Sequence, residues 1–472
     1  MSREKNLAKN TGVLAVGKLL PQLTAFVTLP ILTQNLTKAE YGIYDLIATL
    51  IMLIIPIATL QIQSAAFRFL IDCRDDAAQC TSIITNIFIV TIPVSLLAAV
   101  IVQFFFMELS VLERALMSLY FVFDTIYLTI GQVARGLGKN KQYSVAAITL
   151  SVINMVCVIL SVQMAEMGLL GVLIGLCIAN AAASIYLSYA VSIRKYLKTS
   201  EVSKKEIGRL LAYSWPMVPN NMSNWVLKLS DRLVITFFLG IEANAVYAAA
   251  NKIPNLLSVA QGIMVMAWQE NASMAVNDED ASGYYTKMFD RIFCLMIGFT
   301  AALIGVTPVM FKILIRGDYG DAYVQMPILI LAMFFYCMAA FQGGIYIAHK
   351  KTKSVGFTTM GAAAINLAVD FLLIHVCGIT AGSVSTLVAY FSLFLFRMLD
   401  SRKFQPMKFN VKKQILMYAL ITVMLIVCFM QNFYLNILNF IIGMVMFVVI
   451  NNEFLKIIWS KVLKTIKGGK KK

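Results

Sequence analysis

From Ser82 to Phe106 the chain carries no Asp, Glu, Lys or Arg, and runs of this kind recur along its length. Wound as a helix at about 1.5 Å per residue, such a run exceeds the roughly 30 Å hydrocarbon depth of a bilayer. Of the 472 residues, 60% are hydrophobic and 14% are charged. Ordinary soluble domains are about 25% charged, so a soluble fold would lack the polar residues to cover its surface. This excludes a secreted disulfide scaffold, a coiled coil and a cytosolic enzyme. The runs also lack the roughly ten-residue alternation of an outer-membrane barrel. An all-α integral membrane protein remains.

Apolar runs bounded by charge predict about fourteen transmembrane helices, at 11–34, 42–65, 82–106, 114–133, 143–164, 169–192, 209–228, 244–268, 286–315, 326–348, 354–376, 380–400, 414–431 and 435–455. The first, Thr11 to Gln34, is too long for a signal-peptide core and lacks a small-residue cleavage site, so it reads as a retained span.

The formal net charge is +16. No nucleic-acid-binding signature accompanies it, and the positive-inside rule accounts for it. With the N-terminus placed in the cytoplasm, alternate loops and the C-terminal tail collect the great majority of the 40 basic residues, among them Arg194, Lys195, Lys198, Lys204, Lys205 and Arg209. Outward loops and helix ends hold Lys38, Arg114, Lys228, Arg232, Lys312 and Arg316. An even span number with both termini inside follows.

No loop is longer than about 20 residues, which leaves no room for a catalytic domain. The polar stretch Arg194–Arg209 reads as a linker between two lobes. A weak repeat supports this: Leu36 and Tyr44 match Leu239 and Tyr247, and Ile153-Asn154 matches Ile365-Asn366. The expected domains are an N-terminal six-helix lobe (1–200), a pseudo-symmetric second six-helix lobe (201–400), and two further spans with a basic cytoplasmic tail (401–472).

Most of the eight cysteines sit in apolar runs, and Cys73 and Cys80 lack metal spacing. With His349 and His375 the only histidines, neither a metal site nor a cofactor is expected.

A polar side chain in hydrocarbon needs a partner or water. Span two aligns Asp45, Thr49, Met52, Pro56, Thr59 and Gln63 at steps of three and four. Span seven aligns Pro216, Asn220, Asn224, Lys228 and Arg232, with Asp231 adjacent. Span eight aligns Asn244, Tyr247, Asn251, Asn255, Ser258 and Gly262, flanked by Lys252 and Pro254. Span one carries Lys18 and Gln22 one turn apart. Any one of these Asn, Ser or Thr residues is explained by helix–helix hydrogen bonding. Four matched faces on the first pair of helices of each lobe favour a watery cavity. Its basic residues would attract phosphate or pyrophosphate. Asp45, Asp124 and Asp370 are candidates for ion coupling, although Asp370 lies one turn from Asn366 and a local hydrogen bond explains it equally well.

Several motifs together resemble the Wzx-type polysaccharide flippases of the multidrug/oligosaccharidyl-lipid/polysaccharide exporter superfamily. They are Gly17-Lys18, Leu29-Pro30, Leu36-Thr37-x-x-Glu40-Tyr41-Gly42-Ile43-Tyr44, Ala66-Phe67-Arg68-Phe69, Tyr213-Ser214-x-Pro216 and Ser230-Asp231-Arg232 before Phe238-Leu239-Gly240. The resemblance implies two six-helix bundles facing each other in a V. It implies a cargo of undecaprenyl-pyrophosphate-linked oligosaccharide, moved across the cytoplasmic membrane for capsule, O-antigen or exopolysaccharide synthesis. Lys18, Arg68, Lys228, Arg232 and Lys252 would then meet the phosphates. Gln22, Asn220, Asn224, Asn251 and Asn255 would meet the sugar. Expected partners are membrane lipids and the polysaccharide polymerase and chain-length machinery, with the transporter itself a monomer. A multidrug antiporter of the same superfamily would want free carboxylates where span one has Lys18. A lipid II flippase is hardly separable from the sequence. A membrane polymerase or ligase would need a large outward loop.

Overall fold

The structure, a computed structural model, describes residues 3–276, 278–452, 455 and 456; within these, the side chains of residues 3–16, 18, 263, 266, 267 and 270 are not described. Regular structure among the described residues is helical, because a backbone in hydrocarbon must bond within its own segment. In chain order the helices are α1 (Arg3–Asn35), α2 (Lys38–Ala58), α3 (Ile62–Asp72), α4 (Ala77–Val102), α5 (Val111–Gly136), α6 (Asn140–Val158), α7 (Gly168–Val191), α8 (Lys204–Ser214) and α9 (Met217–Leu239). They continue with α10 (Ile241–Ala250), α11 (Asn255–Ala275), α12 (Ala281–Leu314), α13 (Ala322–Ala348), α14 (Thr352–Cys377), α15 (Thr380–Ser401), α16 (Val411–Phe429) and α17 (Phe433–Ile450).

Eleven of the described helices are long and apolar enough to cross a membrane. The expected segments 11–34, 209–228 and 244–268 fall on α1, on α8 and α9, and on α10 and α11, which are not among the eleven. Three expected spans are also divided. Segment 42–65 breaks at residues 59–61, where Leu60 and Gln61 take left-handed backbone at φ 49° and 57°. Pro56 supplies no N–H one turn earlier and weakens the helix there. Segment 209–228 separates at Trp215-Pro216, and its second part runs on to Leu239. Segment 244–268 breaks over 251–254, ahead of Pro254.

The helix ends are satisfied by the residue types that hydrogen-bond chemistry requires. Thr37 and Glu40 form a capping box at α2, and Ser110 and Glu113 form another at α5. Asp76 caps α4 through the amides of Ala78 and Gln79. At the opposite polarity, Arg74 Nε donates to Gly136 O at the end of α5 (2.7 Å), and Lys139 Nζ to Val191 O at the end of α7 (3.1 Å). Cations there complement the helix dipole.

By its internal contacts the chain divides into two compact units, 1–245 with 314–317, and 246–313 with 318–472. In the first, α1 packs on α6, α5 on α7 and α3, and α2 on α9. One core joins Ala65, Ala66 and Leu70 of α3 to Ile83, Ile84 and Ile87 of α4 and Val133 and Ala134 of α5. In the second, α13 packs on α11 and α15, and α14 on α15. Gly443 of α17 lies so close to α12 that a Cβ there would sit 2.5 Å from Ala301 O, a small-residue contact of the kind that joins helices in lipid.

Arg397, a basic residue near the end of the expected span 380–400, is buried within α15. Its guanidinium donates to Thr358 Oγ1 (2.9 Å), Thr359 Oγ1 (3.0 Å), Ala339 O (3.0 Å) and Val355 O (3.1 Å), tying α13, α14 and α15 together.

The stretch that reads as a linker is strapped to α4. Thr85 Oγ1 donates to Tyr196 O (2.6 Å) and accepts from Lys198 N (3.1 Å). Asn86 Nδ2 donates to Glu201 O (2.8 Å), and its Oδ1 accepts from Ser203 N (2.8 Å). Asn86→Ala removes two of these four bonds, worth about 1–2 kcal/mol together. Limited tryptic cleavage at the exposed Lys198, Lys204 and Lys205 is expected to accelerate several-fold, with the rest of the digest unchanged.

Candidate functional site: the polar junction of α2 and α9

Two polar faces singled out by the sequence meet in the first unit. Asp45 and Thr49 lie one turn apart on α2 and are buried; Trp225 and Arg232 lie seven residues apart on α9, two turns, and therefore on one side of it. Arg232 Nε stands 3.3 Å from Asp45 Oδ2, the side chains being 12% and 4% exposed. Arg232 Nη1 donates to Thr49 Oγ1 at 3.0 Å, and Trp225 Nε1 to Thr49 O at 3.0 Å. At the next corner Asn244 Nδ2 donates to Gly42 O at 3.2 Å, and a Cβ on Gly42 would collide with Ile241 O. Glycine at 42 is what allows α2 to approach the start of α10. Asp45 and Arg232 thus form a buried ion pair in a span, which is stable only when charge and hydrogen bonds are both satisfied.

The rest of the α9 face is open. Asn220 and Lys228 are exposed and Asn224 is half-buried, with Asn224 Nδ2 donating to Asn220 O at 2.8 Å. Uncharged carboxamides followed by a lysine, ending on a held arginine, can accept hydroxyl and phosphate groups together.

The other candidate residues are placed differently. The side chain of Lys18 lies outside the described residues, and Gln22 is half-buried on α1. Arg68 sits on α3, half-exposed, in an ion pair with Asp72 at 2.5 Å. Of the face expected on span eight, Asn244 is buried against Gly42, and Asn251 is buried and turns its Nδ2 back to Tyr247 O (2.9 Å). Lys252 and Asn255 are half-buried beside the 251–254 break. Across the break that follows α2, Thr59 Oγ1 donates to Gln63 Oε1 of α3 at 2.9 Å. Asp124 is half-buried on α5, and Asp370 is buried on α14 one turn beyond Asn366, whose Nδ2 donates to Ser385 Oγ at 3.3 Å. Trp225 was not foreseen, although its spacing from Arg232 was the available signal. Nor was the second role of Glu40, whose Oε1 accepts from Leu169 N at 3.1 Å and so caps α7 as well as α2. No group of three or more His, Cys, Asp or Glu residues placed to hold a metal occurs among the described residues.

These features define a multi-pass, all-helical membrane protein, and solved structures of the same fold are transporters and flippases. The chain is 14% identical to a multidrug resistance MATE family transporter of the MOP superfamily in an inward-facing conformation, with a TM-score of 0.68 over 83% of this chain and 98% of that one. It is 14% identical to the lipid II flippase MurJ in an inward closed conformation, with a TM-score of 0.69 over 94% of this chain and 98% of that one. No curated protein matches in sequence comparison. The profile of a family of polysaccharide biosynthesis proteins matches residues 7–269. The chain belongs to that family, a flippase family of the MOP superfamily, as its Wzx-type motifs imply.

Proposed function

We propose that the protein flips undecaprenyl-pyrophosphate-linked oligosaccharide repeat units across the cytoplasmic membrane by alternating access, with both termini in the cytoplasm. The observation that carries the reading is the accessible α9 face, Asn220, Asn224 and Lys228, ending on Arg232 beside Asp45. Sugar hydroxyls need hydrogen-bond partners that hydrocarbon lacks, and carboxamides supply them. The pyrophosphate needs cations, which Lys228 and Arg232 supply, together with Lys18 and Arg68. The prenyl chain stays in lipid, so no bond is made or broken. Arg232 is held by Asp45, which positions its charge and sets how much of it a phosphate must displace. Asp45, Asp124 and Asp370 would couple the cycle to an ion.

The test uses proteoliposomes of the purified chain carrying fluorescent lipid-linked oligosaccharide in one leaflet. Transfer of this cargo, with weaker transfer of lipid II and no accumulation of a cationic dye, is expected. Dye accumulation without lipid transfer would establish the antiporter reading instead.

A further inference from the structure

A groove unrelated to the α2–α9 junction runs between α14 and α15. Its volume is about 290 Å³. Along α14 it extends from Ser354 to Ile365, eleven steps of about 1.5 Å, or roughly 16 Å, which matches the hydrocarbon depth of one leaflet, roughly 15 Å. The two ends differ. Toward Ile365 the walls are Gly361, Ala362 and Leu393 with the single hydroxyl of Ser392, and the exposed Phe396 and Phe357 rim the middle and the other end. The other end carries Ser354, Thr358 and Asp400.

The polar end is positive. Lys350, Lys351, Lys353, Arg402 and Lys403 are all exposed within a few residues of it. The acid in the wall, Asp400, is already engaged, accepting from Lys403 Nζ (2.8 Å) and from the Tyr346 hydroxyl (2.7 Å). Behind the wall, Arg397 donates through Nε to Thr358 Oγ1, and all four of its acceptors are uncharged. A full positive charge inside a span, facing only neutral partners, is an unbalanced charge in a low-dielectric medium, where attraction for an anion is strengthened. A small-residue floor also leaves room: a Cβ at Gly361 would meet nothing within 4 Å.

We propose that this groove binds one anionic phospholipid, its acyl chain along Gly361, Ala362 and Leu393 and its phosphate at the mouth, toward Lys351 and Lys353. An apolar slot one leaflet deep with a cationic mouth fits a lipid with a charged headgroup, and the positive-inside reading places that mouth in the cytoplasmic leaflet. The site is distinct from the cargo face and does not depend on what the cargo is.

The test is native mass spectrometry of the full chain in detergent, titrated with phosphatidylglycerol or phosphatidylcholine of equal chain length. Wild type is expected to retain phosphatidylglycerol in preference. A juxtamembrane lysine contributes about 1 kcal/mol toward an anionic surface, so Lys351→Ala with Lys353→Ala should weaken retention about tenfold or more. Gly361→Trp, which fills the groove from open space, should abolish the preference, and Gly361→Ala should preserve it. The lysine variants sit on exposed positions and keep the test alive if the tryptophan variant does not fold. Equal retention of the two lipids, undiminished phosphatidylglycerol binding in both the filled-groove and lysine variants, or displacement by an equimolar polyprenyl phosphate would overturn the proposal. Leaflet transfer of lipid-linked oligosaccharide, measured separately, decides the transport reading whichever way the binding result falls.

Discussion

Arg232→Ala is expected to destabilise the protein by about 3–5 kcal/mol, because it leaves Asp45 as a lone buried carboxylate. Exposed ion pairs contribute about 1 kcal/mol or less, so a loss of that smaller size would mean that water reaches the pair freely. The double variant Asp45→Asn with Arg232→Gln removes both charges and retains hydrogen-bonding groups of similar shape. It should recover most of the lost stability, since the cost of breaking one partner is largely the cost of the stranded charge. Equilibrium unfolding in detergent by denaturant checks the stability side. Transport should not recover with stability: the double variant lacks the guanidinium at the end of the cargo face, so leaflet transfer is expected to stay low. Full transfer in the refolded double variant would remove Arg232 from the cargo site and leave it a structural residue.

Gly42→Ala should be nearly as damaging, against the ordinary sign of the change. In a helix interior, alanine is favoured over glycine by about 1 kcal/mol. At Gly42 the added methyl would strike the backbone oxygen of Ile241, which cannot rotate away as a side chain could. Overpacking of this kind costs about 1–3 kcal/mol. Moving α2 outward also breaks the bond from Asn244 Nδ2 to Gly42 O, and Asn244 is fully buried, so a further 1–3 kcal/mol or so is lost. Gly361→Ala is the internal comparison. Its Cβ meets nothing, and it should gain up to about 1 kcal/mol. The two alanine variants should therefore move the unfolding midpoint in opposite directions.

The apolar runs made the helical membrane class legible, since segment length and charge exclusion depend on the chain alone. Local chemistry explains part of what the structure added: Thr37-x-x-Glu40, quoted only as part of the family motif, forms a capping box, and Pro216, inside the span expected to run unbroken over 209–228, marks the start of α9. The long-range half of each motif was not readable. Glu40 reaches Leu169 and Gly42 meets Ile241, and no periodicity within one helix tells what its neighbour will be. Asp45 and Arg232 were both on marked faces, yet their pairing required knowing that α2 packs on α9. The breaks at 59–61 and 251–254 fall inside expected spans because apolar residues on either side carry the runs across Thr59-Leu60-Gln61 and Asn251-Lys252-Ile253-Pro254, while Pro56 and Pro254 mark the places. Arg397 ends an apolar run and so looks like a boundary residue; only the tertiary packing shows that it points inward to four acceptors. The polar residues of spans two and eight mostly satisfy one another or the backbone, so polarity in the sequence was a better guide to helix contacts than to open surface there.

The central claim is that water borders the α9 face within the membrane and that an anionic headgroup occupies it. A cysteine in place of Asn224, in a chain whose native cysteines are replaced, tests it directly with a charged, membrane-impermeant thiol reagent. Met222, two residues away and so about 200° around the helix, supplies the comparison at similar depth. The account predicts rapid labelling at 224, slow labelling at 222, and slowing at 224 when lipid-linked oligosaccharide is added. Equal, slow labelling at both positions, unaffected by the lipid-linked sugar, would contradict it.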